Sequence, residues 1–384
     1  MKNKAHMDYP MDQPRSRQST SSQEDKCDAS SRIVRSKVEL ELHLLPLDVL
    51  HDILTRLSPK EVVRMRLLSP EWRRLGICHP ELVFTKGTFL SGNKTKKTKQ
   101  ASKAAKFITK VNNVLQPLWS SSTTTTAMLD KFVVKFGLGR NHSDHIDRWI
   151  CFCTASKAKH IALDFKLKAG FCSEDDKYVF PLCNLSGPNG SCVKSLDWCY
   201  VSLKLASSFC GIRNLKKLTL HMVSVNVSDF QCLLLTCVLL EDLNIESIAW
   251  LNKQGWPFPS LCIHQELCRL QYLRMRDCDL DMIELHAPNL TTFDFDENVF
   301  QIVLSESLKL SKAIFTSYRR YRRGVHDALH YVLNELPTYL PHVHRLFLDL
   351  GLETSVRSFS KTQTKYMKLR YLNIYKPLYQ WQTM

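Results

Sequence analysis

The residues whose types and spacing could do chemistry fall into a few groups. His142-x-x-His145 followed by Cys151-x-Cys153 offers two imidazoles and two thiols, a zinc-like ligand set. The spacing is not that of a zinc finger, and the chain has no C-x-x-C pair to complete one. His145, Trp149 and Phe152 suit one helical face, so the stretch reads as a helix rather than a metal site. Asp277, Asp279 and Asp281 alternate, as do Asp294 and Asp296, which puts each set on one face of a strand or turn. The spacing and glycine of a calcium loop are missing, so a solvated face is expected. Arg319, Arg320, Arg322 and Arg323 flank Tyr321 in SYRRYRR. Such a cluster could meet phosphate, an acidic segment or nucleic acid, but it reads as a loop or helix surface. Phosphate-binding glycine loops, a Gly-x-Ser-x-Gly elbow, an H-E-x-x-H helix and kinase signatures are all absent. No catalytic residue, no metal and no cofactor is expected.

Composition narrows the class further. With 384 residues the chain exceeds one typical domain, and 44% apolar content can build a large core. The net charge of +16 is uneven: residues 1–110 hold 22 Lys+Arg against 12 Asp+Glu, and residues 111–384 hold 31 against 25. The first 30 residues are polar and lack the apolar run of a signal peptide. The 14 cysteines therefore read as reduced thiols of an intracellular protein, in the nucleus, the cytoplasm or both. The longest apolar run, Cys232 to Leu240, is broken by Thr236 and falls far short of the ~20 residues of a membrane helix, so no membrane partner is expected.

The elements that would position any site begin at residues 44–84. Pro46 and Asp48 open a first helix that closes at Leu57. Ser58-Pro59-Lys60-Glu61 opens a second with Ser58 as N-cap, Pro59 as first helical residue and Glu61 reaching back in a capping box. Ser69-Pro70-Glu71 repeats the device for a third, which stops before Pro80. Val49, Leu50, Ile53, Leu54 and Leu57 make an apolar stripe too wide for one packing partner in so small a bundle, so an outside surface should cover part of it. This stretch resembles an F-box. Leu45, Pro46, Asp48, Val49, Leu50, Ile53 and Leu54 match its first half, and Leu68, Ser69, Trp72 and Arg73 match its Leu-Ser-x-x-Trp-Arg second half. Leu47 stands where an acid is common and Pro70 where Lys or Arg is common. The resemblance implies docking onto a Skp-type adaptor and through it a cullin, with Leu45, Pro46, Val49, Leu50, Ile53, Leu54 and Trp72 contacting the adaptor or shaping that surface.

Upstream, residues 1–37 read as a disordered tail, with the F-box unit at 38–84. Residues 85–128 read as a basic linker and connecting helix. Lys86, Lys94, Lys96, Lys97, Lys99, Lys103, Lys106 and Lys110 occur with no acid between Glu81 and Asp130, a pattern of nuclear-import signals or anionic contacts as well as of a solvated loop. Phe107, Val111, Val114 and Leu115 then fit a helical face, and SSSTTTT at 120–126 reads as a low-complexity loop.

From Leu129 onward one pattern recurs ten times: apolar-x-x-apolar-x-apolar in β-like runs. Its middle positions are Phe132, Ile161, Leu196, Leu218, Leu243, Leu273, Phe293, Ala313, Leu346 and Leu372, with gaps of 29, 35, 22, 25, 30, 20, 20, 33 and 26. Leucine-rich repeats run about 20–29 residues per unit, and longer gaps leave room for loops. Phe230, Leu233, Leu234 and Cys237 form a helical face with Ser228 as candidate cap, so strand, turn, helix and return strand make one turn of a solenoid. Together with VNNVLQPLW, HIDRWICFCTASKAKHIALDF, CVLLEDLNIE and IELHAPNLTTFDFD, the pattern resembles the large plant group of F-box proteins with degenerate leucine-rich repeats.

The expected fold class is therefore α/β: an N-terminal three-helix F-box followed by an irregular leucine-rich-repeat solenoid over 129–384. No polar capping unit follows the last strand, which suggests a shortened C-terminus. The resemblance implies a non-catalytic substrate adaptor of a Skp–cullin–F-box ubiquitin ligase, whose solenoid binds a target protein. The alternatives are a basic nucleic-acid-binding protein, although no nucleic-acid-binding fold pattern accompanies the charge, and a repeat scaffold acting outside a ligase.

Overall fold

The computed structural model of the chain describes residues 45–57, 61, 79–87, 100–119, 129–166, 173–186, 192–207, 209–251, 258–296, 299–305, 307–317, 334–350 and 366–375. Helix α1 (Leu47–Thr55) comes first, followed by α2 (Gln100–Trp119), α3 (Ser143–Ala155), α4 (Val227–Thr236) and the single turn α5 (Leu336–Tyr339). None of the described helices is long and apolar enough to cross a membrane.

Eleven of the described strands form one continuous inner sheet. They are β1 (Glu81–Thr85), β2 (Lys131–Lys135), β3 (His160–Asp164), β5 (Ser195–Cys199), β7 (Lys217–His221), β9 (Asp242–Glu246), β12 (Tyr272–Arg276), β14 (Thr292–Asp296), β16 (Lys312–Ser317), β17 (Arg345–Leu350) and β18 (Tyr371–Tyr375). Every neighbouring pair is parallel, and the same register position carries through from Leu82 by way of Phe132, Ile161 and Leu196 to Leu346 and Leu372. All ten middle positions read from the pattern lie on this ladder. Because alternate residues of a strand face opposite ways, the two apolar positions of each strand enter the core together. Phe132, Val134, Leu196, Trp198, Leu218 and Leu220 are fully buried. The residue between them faces the open side.

The outer layer varies from turn to turn. Four short strands, β4 (Tyr178–Pro181), β6 (Val201–Lys204), β8 (Ser224–Val225) and β10 (Ala249–Trp250), make one outer sheet. Another holds β11 (Ser260–Glu266), β13 (Leu280–His286) and β15 (Val299–Ser305). The expectation of a helix in each turn is corrected here. The 20-residue turns from Leu273 to Phe293 and on to Ala313 each hold an inner strand of five residues and an outer strand of seven, which leaves no length for a helix. Helices occur in some of the other turns: α2 and α3 flank β2, and α4 precedes β9. Helix α4 begins at Val227 with Asn226 as its N-cap residue, so Ser228 lies inside the helix rather than capping it.

One strand is absent from the sequence reading. β1 lies within the segment expected to complete the F-box, yet it pairs along its whole length with β2, Leu82 against Phe132 and Phe84 against Val134. His79 occupies the position that carries Leu or Val in most other repeats, which hides the pattern. The imidazole is buried there. Helix α2 covers the same end of the core with Phe107, Val111 and Leu115, all fully buried, and Phe107 stacks on Phe136 with ring centroids 4.3 Å apart.

The corner from inner strand to outer layer is also repeated. Tyr200, Met222, Ser247 and Asp277 each stand one residue past an inner strand with φ between 51° and 62°. In this left-handed geometry Tyr200 N–H still reaches His221 O at 3.0 Å and Met222 N–H reaches Glu246 O at 2.9 Å, extending the ladder while the chain turns away. Gly211 is more demanding. Its φ is +93°, and a Cβ there would sit 2.4 Å from Thr236 Cβ at the end of α4. Gly211→Ala should therefore lower the unfolding free energy by about 1–3 kcal/mol, through strained backbone and displaced helix end. Urea denaturation checks this, and an unchanged midpoint contradicts the close packing of this loop on α4.

Candidate functional site

Helix α1 starts where proline suits it. Pro46 precedes the first turn with φ −56° and ψ 149°, and its carbonyl accepts the Leu50 N–H at 3.1 Å. Spacing then sorts the apolar residues into two faces. Leu50 and Leu54, four apart, are 1% and 0% exposed. Pro46 and Val49 are exposed, and Leu45 and Ile53 are half-buried. Val49 and Ile53, again four apart, share a face that stays open to solvent, with Val49 41% exposed. The sequence-derived set thus divides into residues that hold the unit together and residues available to an outside surface. Trp72, and the second and third helices expected around it apart from Glu61, lie outside the described residues.

The helix is tied to the sheet by His79. Its Nε2–H donates to the Leu57 carbonyl at 3.0 Å, just past the C-terminus of α1. Its Nδ1 lies 2.6 Å from the Glu81 carbonyl oxygen and 2.9 Å from the Glu81 nitrogen, at the start of β1. One ring thereby bridges the end of α1 to the first strand. Sequence reasoning passed over His79, because a lone histidine between two apolar stretches gives no periodic signal.

The open face of the inner sheet carries polar ladders. Lys131 meets Glu81 at 3.8 Å and Lys217 meets Asp242 at 2.6 Å, each across adjacent strands, and Lys216 meets Glu241 at 2.8 Å just before β7 and β9. Arg276 holds Asp294 at 2.7 Å, and Arg274 lies 3.5 Å from Glu246. Asp294 and Asp296 are 5% and 4% exposed, which corrects the expectation of a solvated acidic face. Asp294 is neutralised by Arg276, and Asp296 accepts the Asp277 N–H at 2.5 Å. A cavity of about 210 Å³ lies further along this face between Lys135, Asp164, Asp197, His221, Asn244 and Glu246. Shielding by the flanking strands pushes the Asp197 carboxyl up, and the charge of Asp164 adds to the shift against that of Lys135.

The remaining chemical candidates separate in space. His142 ends the turn before α3, and burial lowers its pKa. Cys151 is exposed whereas Cys153 is fully buried, so the two thiols do not converge. Trp149 is buried, and its indole N–H donates to Asn112 Oδ1 of α2 at 2.9 Å. No group of three or more His, Cys, Asp or Glu able to hold a metal occurs among the described residues. The Arg319–Arg323 cluster, the lysines at 94–99 and the 120–126 loop lie outside the described residues.

Burial raises the Cys153 and Cys278 thiols well above their ordinary range and pushes Cys237 up to about 12, which suppresses thiolate formation. Iodoacetamide applied to the folded protein should label Cys151, Cys210, Cys232 and Cys268 and leave Cys153, Cys237 and Cys278 untouched until denaturant is added. Rapid native labelling of those three, read by peptide mass spectrometry, contradicts the packing described.

Two family models match the chain: the F-box domain over residues 42–76, and the At1g61320/AtMIF1 LRR domain over residues 127–382. Among curated proteins, the F-box/LRR-repeat protein At3g58900 of Arabidopsis thaliana is 26% identical over 271 residues, 69% of this chain and 75% of the relative. The F-box protein At3g59000 of the same plant is 24% identical over 326 residues, 81% of this chain and 62% of its own length. The F-box protein At3g03040, also from Arabidopsis thaliana, is 25% identical over 299 residues, 76% of this chain and 59% of the relative. The chain thus spans three quarters of the first of these and about three fifths of the other two.

Proposed function

The chain belongs to the plant family of F-box proteins with leucine-rich repeats, and we propose that it is the target-recognition subunit of a Skp–cullin–F-box ubiquitin ligase. The observation that carries the reading is the open apolar face of α1. Pro46, Val49 and Ile53 lie on one side of a helix whose other side, Leu50 and Leu54, is buried. An exposed apolar helix face fits a helix-in-groove contact with a Skp-type adaptor, and Leu45 lies beside it. Trp72 and the rest of the F-box would complete the contact.

In this reading the chain performs no chemistry of its own. Transfer of ubiquitin belongs to other subunits, reached through the adaptor and a cullin. The solenoid holds a target protein while the F-box holds the adaptor, so target lysines experience a raised effective concentration of the charged carrier. The polar open face of the inner sheet, with its cavity near Asp197 and His221, is where the target docks. His79 keeps the adaptor end and the target end in a fixed relation, which effective concentration requires.

The test separates contact from folding. Val49→Asp with Ile53→Asp should abolish capture of a Skp-type adaptor by the full chain and leave its circular dichroism and melting unchanged. Leu50→Ala should instead destabilise the F-box by about 2–5 kcal/mol, because it empties a buried site. Adaptor capture that survives the Val49 and Ile53 changes sinks the proposal.

A further inference from the structure

We infer that the open face of β16, β17 and β18 is a docking surface for a carboxylate-rich extended segment of a partner protein. This deepens the reading that the solenoid binds targets, and names the chemistry of the segment it takes.

The first positions of the inner strands form one row of the ladder on the open face. Upstream, each cation in this row has a carboxylate directly opposite on the next strand. Lys131 faces Glu81 and Lys217 faces Asp242, in register and in ion pairs of 3.8 Å and 2.6 Å. Downstream the rule fails. Lys312 of β16 is directly opposite Arg345 of β17, cation against cation. Strands are about 4.8 Å apart, and like charges placed directly opposite destabilise a sheet. Neither side chain is ion-paired with a carboxylate among the described residues. The carboxylate nearest in sequence on the two strands is Asp349, four residues along β17 and therefore about 13 Å away.

Each of the two cations lies instead over a ring. Lys312 Nζ is 4.9 Å from the Phe347 centroid, and the Arg345 guanidinium is 5.5 Å from that of Tyr371. The rings orient the cations without neutralising them. Arg370 precedes Tyr371 and is exposed, and Tyr371 is 62% exposed. The result is a basic and aromatic patch with a net charge its own ladder does not cancel. Arginine and tyrosine beside each other on an open surface are the residue types that dominate protein–protein contacts. The occupant follows from charge complementarity. The chain answers a cation in this row with an Asp or Glu carboxylate held one strand spacing away. An extended segment with alternating acids, laid along the same face, supplies that group to both Lys312 and Arg345.

The probe is a short fluorescein-labelled peptide alternating Glu and Thr, titrated with the full chain by fluorescence anisotropy. Companion probes are the Gln–Thr analogue, the Gln analogue carrying phosphothreonine, and a single-stranded oligonucleotide. The expected result is binding of the Glu peptide that weakens with salt, no binding of the Gln analogue, and about tenfold loss with Lys312→Gln plus Arg345→Gln. Lys217→Gln, on the paired stretch of the same row, should leave the affinity unchanged. A second measurement needs no ligand: Lys312→Glu creates an opposite-charge pair with Arg345 and should raise the melting temperature. Absence of Glu-peptide binding, loss no larger than with Lys217→Gln, preference for the phosphopeptide or oligonucleotide, or a lowered melting temperature for Lys312→Glu each overturns the inference. Adaptor capture is not part of this assay, so its failure leaves the F-box proposal intact.

Discussion

No strand of this protein can bury its own apolar pair. Each inner strand offers two side chains to the core, and only the strands before and after it, with the outer layer behind, complete their enclosure. The consequences reach the whole molecule. The register is held without a slip from Leu82 to Leu372 because a shift of one residue would turn every apolar pair to the open face. The outer layer, which only has to close the back of each turn, is free to be helix in one turn and strand in another. At β18, the last described strand, Leu372 and Ile374 occupy core positions in the ladder and are 52% and 53% exposed.

Because burial is satisfied by alternate residues, the positions between them are available for polar work. They form rows of side chains one strand spacing apart, and opposite charges fall into neighbouring places. Such pairs contribute little to stability individually, roughly 0–1 kcal/mol when exposed. Their larger effect is on the electrostatic surface a partner meets. Paired rows are neutral, the cavity near Asp197 is acidic, and the region of Lys312 and Arg345 is basic and aromatic. A solenoid can thus change its partner chemistry along one face without altering its core.

How much of this was legible in the chain follows from the same physics. Apolar-x-apolar spacing is a direct image of core geometry, so ten inner strands could be read from the spacing of apolar residues alone. β1 escaped because His79 replaces the leading apolar residue and satisfies its ring through two hydrogen bonds, a solution that leaves no periodic trace. The division of the α1 stripe into buried Leu50 and Leu54, exposed Val49 and half-buried Ile53 depends on what packs behind the helix, which spacing cannot reveal. Asp294 and Asp296 looked like a solvated pair, since nothing in the local sequence shows that Arg276 and the Asp277 N–H turn toward them. Local periodicity reports the core, whereas long-range polar partners stay hidden until strands are stacked.

The functional account joins two ends of one body: a helix with an open apolar face, tied through His79 to a sheet whose outer rows vary in charge. Its central claim is that the α1 face meets a Skp-type adaptor while the solenoid remains as it is. Hydrogen exchange of the full chain, measured with and without a purified plant Skp-type adaptor, tests this most directly. The account predicts new protection over residues 45–57 and no change in the amides of β2 through β17. Exchange at residues 45–57 that is unaltered by saturating adaptor would contradict it.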